Sequence, residues 1–231
     1  MIVSYARNFI FIKTKKTAGT TVEAVLATAC APGDIVTHPS HKYVGIDLDK
    51  FASFFEGQKA IAPEGDEDER EDKRQGRKRG DFFNHMDAAD IRERIDGAFW
   101  DSAYKLTVER HPYEKAVSQA YWRMKKKKKS WMEDFPELLD RVVRTGDYVG
   151  YRRWTIRGEV AVNDFIRHET LETDLARVGK HLGFPIPSFI PQLKGQTRDD
   201  RRPAREILSD DQKEIVYLRC REEFEILGYE R

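Results

Sequence analysis

The chain has 231 residues, enough for one large domain, and we expect a single domain over residues 1–231. Charged residues make up 35% of the sequence, yet Lys+Arg 41 against Asp+Glu 40 leaves a formal net charge of only +1. That balance argues against a nucleic-acid partner, since it provides no global basic field. A mean hydropathy of −0.70 without a long apolar run predicts no integral membrane segment.

Two features bear on the compartment. The first residues lack the charged start, apolar stretch and small-residue cleavage site of a signal peptide. Cys30 and Cys220 lie far apart and without metal-ligand spacing, which favours buried thiols over a disulfide or a metal site. We therefore expect a cytoplasmic protein.

The chain opens with a pattern typical of a strand followed by a helix. Residues 8–13 form a short apolar run suited to a buried strand, and residues 14–19 are polar and small. A helix is predicted from about Thr20, because apolar residues then recur at helical spacing, at Val22, Val25, Leu26 and Ala29.

Residues 64–80 differ in kind from the rest. Thirteen of these seventeen residues are charged and none is apolar. Such a segment buries too little surface to offset its chain entropy, so we expect a mobile charged insertion. It is either a solvated loop or a contact surface for an anionic acceptor.

A second strand–helix junction follows. The segment Tyr104–Glu109 alternates apolar and polar residues as a strand does, and Pro112 suits the first position of a helix. One face of that helix is expected to carry Val117, Ala120, Tyr121 and Met124. The lysine run at 125–129 either solvates the end of this helix or attracts a polyanion.

Further elements complete the predicted fold. Asp87 is a plausible N-cap for a helix carrying Ala88, Ile91 and Ile95, and residues 165–168 read as a strand. Thr170 caps a helix that Gly183 ends, and residues 209–212 form a capping box before a last helix carrying Tyr217, Cys220, Phe224 and Leu227. Strands alternating with helices predict an α/β fold with a central, mainly parallel sheet flanked by helices.

The loop at residues 15–21 has the composition of an anion-binding site. It joins a strand to a helix N-terminus, where exposed N–H groups and the helix dipole favour negative charge. Gly19 permits a tight turn, and Lys16 adds a charge. The Gly-Lys-Ser/Thr of nucleotide triphosphatases is absent, so the residues suggest either a phosphate site of another kind or an ordinary glycine-containing turn.

Four segments, in order along the chain, resemble a known family. Residues 11–21, 104–118, 165–175 and 224–229 are similar to motifs of PAPS-dependent sulfotransferases of the carbohydrate, heparan 2-O-sulfotransferase-like family. The resemblance implies a P-loop-kinase-like α/β fold. It also implies transfer of a sulfuryl group from 3′-phosphoadenosine 5′-phosphosulfate (PAPS) to an acceptor hydroxyl, most simply that of a glycan, without a metal.

The resemblance also assigns residues. It places the 5′-phosphosulfate loop at Lys16, Thr17, Ala18, Gly19, Thr20 and Thr21, the 3′-phosphate site at Arg110 and Ser118, and the completion of the pocket at Lys194 and Arg198. The chain has Lys15 where the family usually has Pro, and His111 where it has Asp or Asn. We assign the leaving-group charge to Lys16, with Lys15 as the alternative; Arg110 has the alternative of a structural ion pair.

A histidine is the expected catalytic base, because neutral imidazole accepts protons near neutral pH. His85 lies between the two nucleotide motifs, where the family carries a comparable histidine. A packed core residue is the alternative reading, and His38 and His41 are the alternative bases. With an ordinary pKa, His85 would give a rate that rises through about pH 6.5.

Two other functions remain open. One is a nucleotide or small-molecule kinase of the same architecture. A kinase would depend on Mg²⁺, and the Gly-Lys-Ser/Thr motif usual in such enzymes is absent from this sequence. A non-catalytic polyanion-binding module would use the basic runs at 77–79 and 125–129. Its binding would weaken steeply with salt and would not depend on a 3′-phosphate.

Overall fold

The computed structural model describes residues 1–31, 33–37, 82–126, 134–186, 198 and 200–231. A five-stranded sheet has the order β3-β1-β2-β4-β7. Strands β2, β4 and β7 run parallel, whereas β1 is antiparallel to both of its neighbours. The strands are β1 (Ile2–Ser4), β2 (Phe9–Ile12), β3 (Ile35–Val36), β4 (Tyr104–Glu109) and β7 (Asp164–Arg167), and β5 (Thr155–Ile156) with β6 (Glu159–Val160) forms a separate hairpin. The α/β class and the mainly parallel central sheet are confirmed.

Helices pack on both faces of this sheet. Alternation along β2 sends Phe9 and Phe11 into one apolar cluster and Ile10 and Ile12 into another. A third cluster joins the helices that follow β4 to those near the C-terminus. The helices are α1 (Gly19–Ala27), α2 (Ala88–Arg92), α3 (Gly97–Ser102), α4 (Pro112–Lys126), α5 (Phe135–Thr145), α6 (Leu171–Leu182), α7 (Ala204–Ile207), α8 (Asp210–Arg219) and α9 (Arg221–Leu227), with 3₁₀ turns at Tyr151–Arg153 and His168–Thr170.

The two predicted strand–helix junctions are confirmed within one residue at each end. Gly183 ends α6 in the left-handed conformation as expected, and the capping box of Ser209 is formed. Sequence patterning missed the strands β1, β3, β5 and β6 and the helices α3, α5 and α7. The residues predicted at 64–80, at 127–129, at His38 and His41 and at Lys194 lie outside the described residues.

Some finer predictions are wrong for identifiable reasons. The last helix is two helices, because the backbone leaves helical geometry at Cys220. Met124 is exposed, since it lies beyond the part of α4 that packs on α5. The Thr170 hydroxyl donates to the Asp174 carboxylate rather than capping the backbone, and α2 ends before Ile95.

No helix in the described ranges has both the length and the apolar character that a membrane crossing requires. Cys220 is buried and Cys30 is partly buried, and both are free thiols. Burial raises the pKa of Cys30 to about 12, so this thiol is held in its protonated form. The cytoplasmic location stays a prediction.

A buried ion cluster ties the C-terminal helix to the end of β4. Lys115 Nζ lies 2.7 Å from Glu109 Oε2 and also donates to Glu223 of α9, and all three side chains are fully buried. Trp154 Nε1 donates to Glu109 Oε1 at 2.8 Å, and the Gly150 N–H donates to Glu223 Oε1 at 2.6 Å. Two carboxyl groups share one ammonium, so ionisation of both would leave one negative charge without a counter-charge.

The cluster makes the stability of the fold depend on pH. Burial raises the pKa of Glu109 from 4.5 to about 7; the nearby Glu223 adds to this rise, while Lys115 opposes it. The folded protein therefore retains a proton that the unfolded chain releases. This contribution to stability is fully present below pH 4.5 and is lost as the pH rises through about 7.

Glu109→Gln should therefore remove this pH dependence. Between pH 4.5 and 8 the free energy of unfolding of the parent should fall by on the order of 1–3 kcal/mol relative to the variant. Urea unfolding at several pH values measures the difference. Glu225→Gln, which changes an exposed carboxylate of α9, is the control and should show no such trend. A parent–variant difference that is constant with pH would contradict the assignment.

Candidate functional site

A cleft of about 630 Å³ opens at the carboxyl edge of the parallel strands. The residues that follow these strands line it: Thr14 beyond β2, Arg110 beyond β4 and His168 beyond β7. Ligands of open α/β sheets bind at this edge, because parallel strands deliver their following loops to one place. Parallel pairing therefore accounts for the location of the cleft.

The loop between β2 and α1 is fastened to β4. The Thr14 hydroxyl donates to the Val108 carbonyl, and the Thr107 hydroxyl donates to the Ile12 carbonyl at 2.7 Å. Each hydroxyl thus satisfies a backbone carbonyl at the end of the sheet. These two hydrogen bonds hold the start of the loop next to Val108, shortly before Arg110.

The loop itself has an unusual backbone. Lys16 and Ala18 have φ of 65° and 64°, in the left-handed region that non-glycine side chains rarely adopt. Alternating backbone conformations of this kind turn successive N–H groups toward one concavity, which is a recurrent anion-binding arrangement. The first turn of α1 adds N–H groups that the helix itself does not use and the positive end of its dipole.

Gly19 is required where this loop enters α1. A Cβ added at Gly19 would lie 2.8 Å from Lys13 Cγ and 3.2 Å from the Thr14 carbonyl oxygen. Lys13 cannot easily move, because its ammonium is buried in an ion pair with Glu23 Oε2 at 2.7 Å. The close approach of helix and loop thus depends on the missing side chain.

Helix α4 supplies the opposite wall of the cleft. Glu114, Ser118 and Trp122 recur every four residues, so they share one face of the helix, and all three line the cleft. The Lys16 ammonium lies 5.1 Å from the centre of the Trp122 ring. A cation over an indole face is an attractive contact, and here it spans the cleft from the loop to α4.

Arg110 lies at the base of this wall. Its Nη2 is 2.9 Å from Glu114 Oε2, and Arg198 Nη1 lies 2.8 Å from the same oxygen. The Nε of Arg110 is buried, and none of the described residues accepts a hydrogen bond from it. An unsatisfied buried donor costs about 1–3 kcal/mol, and a donor of this kind at a cleft wall fits an anion-binding role.

His85 lines the cleft beside the loop. Its Nδ1 lies 3.1 Å from the Lys13 carbonyl oxygen, which can only accept, so Nδ1 carries the proton and Nε2 keeps its lone pair. Burial, with Lys13, Arg153 and Lys15 nearby, holds the pKa of His85 well below 6.5. The expectation of an ordinary histidine pKa is therefore corrected downward, and the ring is neutral at neutral pH.

Most of the residues assigned from the sequence meet in this cleft. Its lining includes Lys16, Ala18, Gly19, Thr20, His85, Arg110, Ser118 and Arg198. The side chains of Thr17 and Thr21 are buried outside the lining, which leaves only their backbone groups for a ligand. Lys15 also lines the cleft, so the choice between it and Lys16 stays open.

Several other residues line the cleft without having been predicted from the sequence. They are Lys13, Thr14, Glu114, Gln119, Trp122, His168, Glu169, Arg201, Arg202 and Pro203. Two signals were present: Trp122 continues the four-residue spacing of Ser118, and His168 directly follows a strand that runs parallel to β4. Burial, with Arg110 nearby, lowers the pKa of His168. It is therefore a second neutral imidazole in the cleft.

We expect Gly19→Ala to damage the loop. The added methyl group would strike Lys13 Cγ and the Thr14 carbonyl, so the free energy of unfolding should fall by about 1–3 kcal/mol. Gly97→Ala is a matched control, since Gly97 is also the first residue of a helix and has open space around it. Urea unfolding of both variants measures the effect. Equal stability of the two variants would contradict the packing argument.

Within the described residues, no group of three His, Cys, Asp or Glu side chains is arranged to hold a metal ion. No family model, curated protein or solved structure matches the chain. The cleft itself combines a loop with two left-handed residues, two arginines that share Glu114, and two neutral histidines.

Proposed function

We propose that the protein is a sulfotransferase that takes the sulfuryl group from PAPS and passes it to a hydroxyl of a carbohydrate acceptor. One observation supports the proposal: the loop at the start of α1 and the pair Arg110 and Ser118 line the same cleft. We assign one anion site to the loop and a second to Arg110 with Ser118. A nucleotide with phosphate groups at both its 5′ and 3′ positions needs two such sites.

The residues present fit this donor. The cleft contains more cationic than acidic side chains, and Arg110 has a buried donor, Nε, that no residue in the described part of the chain accepts from. The tight Gly19 turn lets backbone N–H groups approach a phosphate closely. The proposed fold is P-loop-kinase-like, with the loop after β2 in the position of the phosphate loop. The carbohydrate acceptor is the choice that the motif resemblance favours.

The residues of the loop and of α4 would divide the binding. The N–H groups of residues 17–21 would bind the 5′-phosphosulfate, and the Lys16 ammonium would stabilise the charge on the departing phosphate oxygen. Arg110 and Ser118 would bind the 3′-phosphate, since a guanidinium presents a planar fork of donors. The donor supplies an activated sulfuryl group, and the protein supplies position and charge.

His85 would act on the acceptor. Its Nε2 has the free lone pair, and the Nδ1–H to the Lys13 carbonyl fixes that tautomer. The Arg153 guanidinium donates to the His85 carbonyl and, at 3.0 Å, to Asp87 Oδ1, which fixes the backbone of this turn. A base whose lowered pKa keeps it neutral is available to accept the hydroxyl proton over a wide pH range.

Calorimetric titration with 3′-phosphoadenosine 5′-phosphate and with adenosine 5′-phosphate tests the proposal. The parent should bind the first ligand more tightly, and Arg110→Ala should lose about 10- to 100-fold of that affinity. The variant should bind adenosine 5′-phosphate as the parent does. Arg152→Ala removes an exposed arginine away from the cleft and is the control.

Other outcomes favour other functions. Preference for ATP with Mg²⁺, without selectivity for the 3′-phosphate, would indicate a kinase. Binding that falls steeply with salt and ignores the 3′-phosphate would indicate a polyanion-binding module. If Arg110→Ala weakens both nucleotides equally, Arg110 has a structural role.

His85→Asn tests the base. Asparagine tolerates the left-handed backbone at this position, where φ is 58°, and its amide can still donate to the Lys13 carbonyl. Acceptor-dependent formation of 3′-phosphoadenosine 5′-phosphate from PAPS should fall by about 10²–10⁴-fold, with nucleotide affinity unchanged within about two-fold. In the parent the acid limb of the rate should lie below pH 6.5.

The matched control is His181→Ala, because His181 is exposed and lies outside the cleft lining. It should leave turnover unchanged. Full turnover in His85→Asn would show that His85 is not the base. His168, His38 and His41 would then be the bases to test.

A further inference from the structure

A single carboxylate joins three separate parts of the cleft wall. Glu114 Oε2 lies 2.9 Å from Arg110 Nη2 and 2.8 Å from Arg198 Nη1. Its other oxygen, Oε1, accepts the backbone N–H of Ala204 at 2.7 Å. Glu114 thus connects the end of β4, the residue at 198 and the start of α7, although Arg198 and Ala204 lie 84 and 90 residues away in the chain.

These contacts keep Glu114 ionised. Burial opposes ionisation, but the Ala204 N–H, Arg110 and Arg198 together hold the pKa of Glu114 below 4.5. A carboxylate with three partners cannot swing away without leaving two guanidinium groups close together. The arrangement is therefore a fixed connection at neutral pH.

Arg198 and Arg110 differ in how many of their guanidinium N–H groups donate hydrogen bonds within the protein. Arg198 donates to Glu114, to the Asp200 carbonyl at 2.6 Å and to the Arg202 carbonyl, so most of its guanidinium is already engaged. Arg110 donates to Glu114 through Nη2, and its Nε has no partner among the residues that the structure describes. Arg110 thus has more donors left for a ligand, and Arg198 adds charge from a fixed position.

Two guanidinium groups repel each other, so they come together only around a shared negative charge. Glu114 supplies that charge on the side of α4. We propose that Glu114 is a positioning residue, which holds Arg110 and Arg198 as one two-arginine site for the 3′-phosphate group and fixes that site to α7. This inference rests on the proposed function, because it assigns the ligand group from the donor nucleotide.

Neutralising Glu114 would change the affinity for anions in opposite directions under the two explanations, a positioning role and a simple charge effect. If Glu114 only added negative potential to the cleft, its neutralisation would strengthen the binding of every anion. If Glu114 positions the arginines, its neutralisation weakens the binding of the 3′-phosphate. Glutamine can accept from Ala204, but its amide nitrogen cannot accept from either arginine.

Glu114→Gln is therefore the first variant. Its affinity for 3′-phosphoadenosine 5′-phosphate should fall about 10-fold or more, while its affinity for adenosine 5′-phosphate should stay within about two-fold of the parent. Glu114→Asp keeps the charge and shortens the reach, so it should weaken 3′-phosphate binding too; it also serves as the second variant if Glu114→Gln fails to fold. Glu172→Gln neutralises an exposed carboxylate in the first turn of α6 and is the matched control.

A double variant adds a readout that a merely structural role would not change. Because Glu114 acts through the arginines, and chiefly through Arg110, Glu114→Gln should cost much less 3′-phosphate affinity in an Arg110→Ala background than in the parent. Additive losses would overturn the proposal. So would tighter binding by Glu114→Gln, or selectivity equal to that of the parent.

Inorganic phosphate distinguishes failure of this inference from failure of the proposed function. If the parent ignores the 3′-phosphate of nucleotides but phosphate raises the Tm of the parent and not that of Glu114→Gln, the sulfotransferase proposal is wrong and the positioning role stands. If the parent selects the 3′-phosphate and Glu114→Gln does so equally, the positioning role is wrong and the function stands. If the parent responds to neither probe, both are wrong.

Discussion

The parallel pairing of β2, β4 and β7 sets the position of each wall of the cleft. Ile12 pairs with Thr107, and Glu109 pairs with Arg167, so the three strands end at one edge. A shift of one residue in either pairing would turn the side chains of the strand to opposite faces. Strand β1 is antiparallel to β2, and its end therefore lies at the other edge and contributes nothing to the cleft lining.

A second constraint lies beneath the cleft, in the ion cluster of Lys115, Glu109 and Glu223. Burying three charges costs much desolvation free energy, and such a cluster is tolerated because its members satisfy one another and nearby N–H groups. Removing Lys115 would leave two buried carboxyl groups without their shared counter-charge. Since Glu109 directly precedes Arg110, the C-terminal helix fixes the backbone that carries the arginine, although Glu223 itself does not line the cleft.

The elements with clear local signals could be predicted from the sequence. The strand–helix junctions after β2 and β4 combine an apolar run with a turn or a proline, and the helix that ends at Gly183 has both a periodic face and a glycine stop. The break at Cys220 could not be predicted, because Tyr217 and Phe224 belong to one apolar cluster on both sides of it. The spacing of apolar residues predicts which residues are buried, but it does not predict a break in a helix whose two halves bury the same face.

Part of the candidate site could be predicted from the sequence, and part could not. Parallel topology alone brings the loop at Lys16 and the arginine at 110 to one edge, so their meeting needed only the correct fold class. Trp122 follows from helical spacing. The contacts of Glu114 with Arg198 and Ala204 depend on how a distant segment packs, and no local pattern carries that information.

Residues of the same charge also have different roles in this region, so the residue type alone does not show whether a charge stabilises the fold or lines the cleft. Glu109 faces the buried cluster and Arg110 faces the cleft; one turn later, Glu114 faces the cleft and Lys115 faces the buried cluster. The alternation follows from geometry, because successive side chains on a strand or a helix point in different directions. The charges that stabilise the fold and the charges that would bind a ligand are thus adjacent in the chain. Because each ligand-facing charge directly follows or precedes a buried one, the position of the buried charge fixes the position of its neighbour in the cleft.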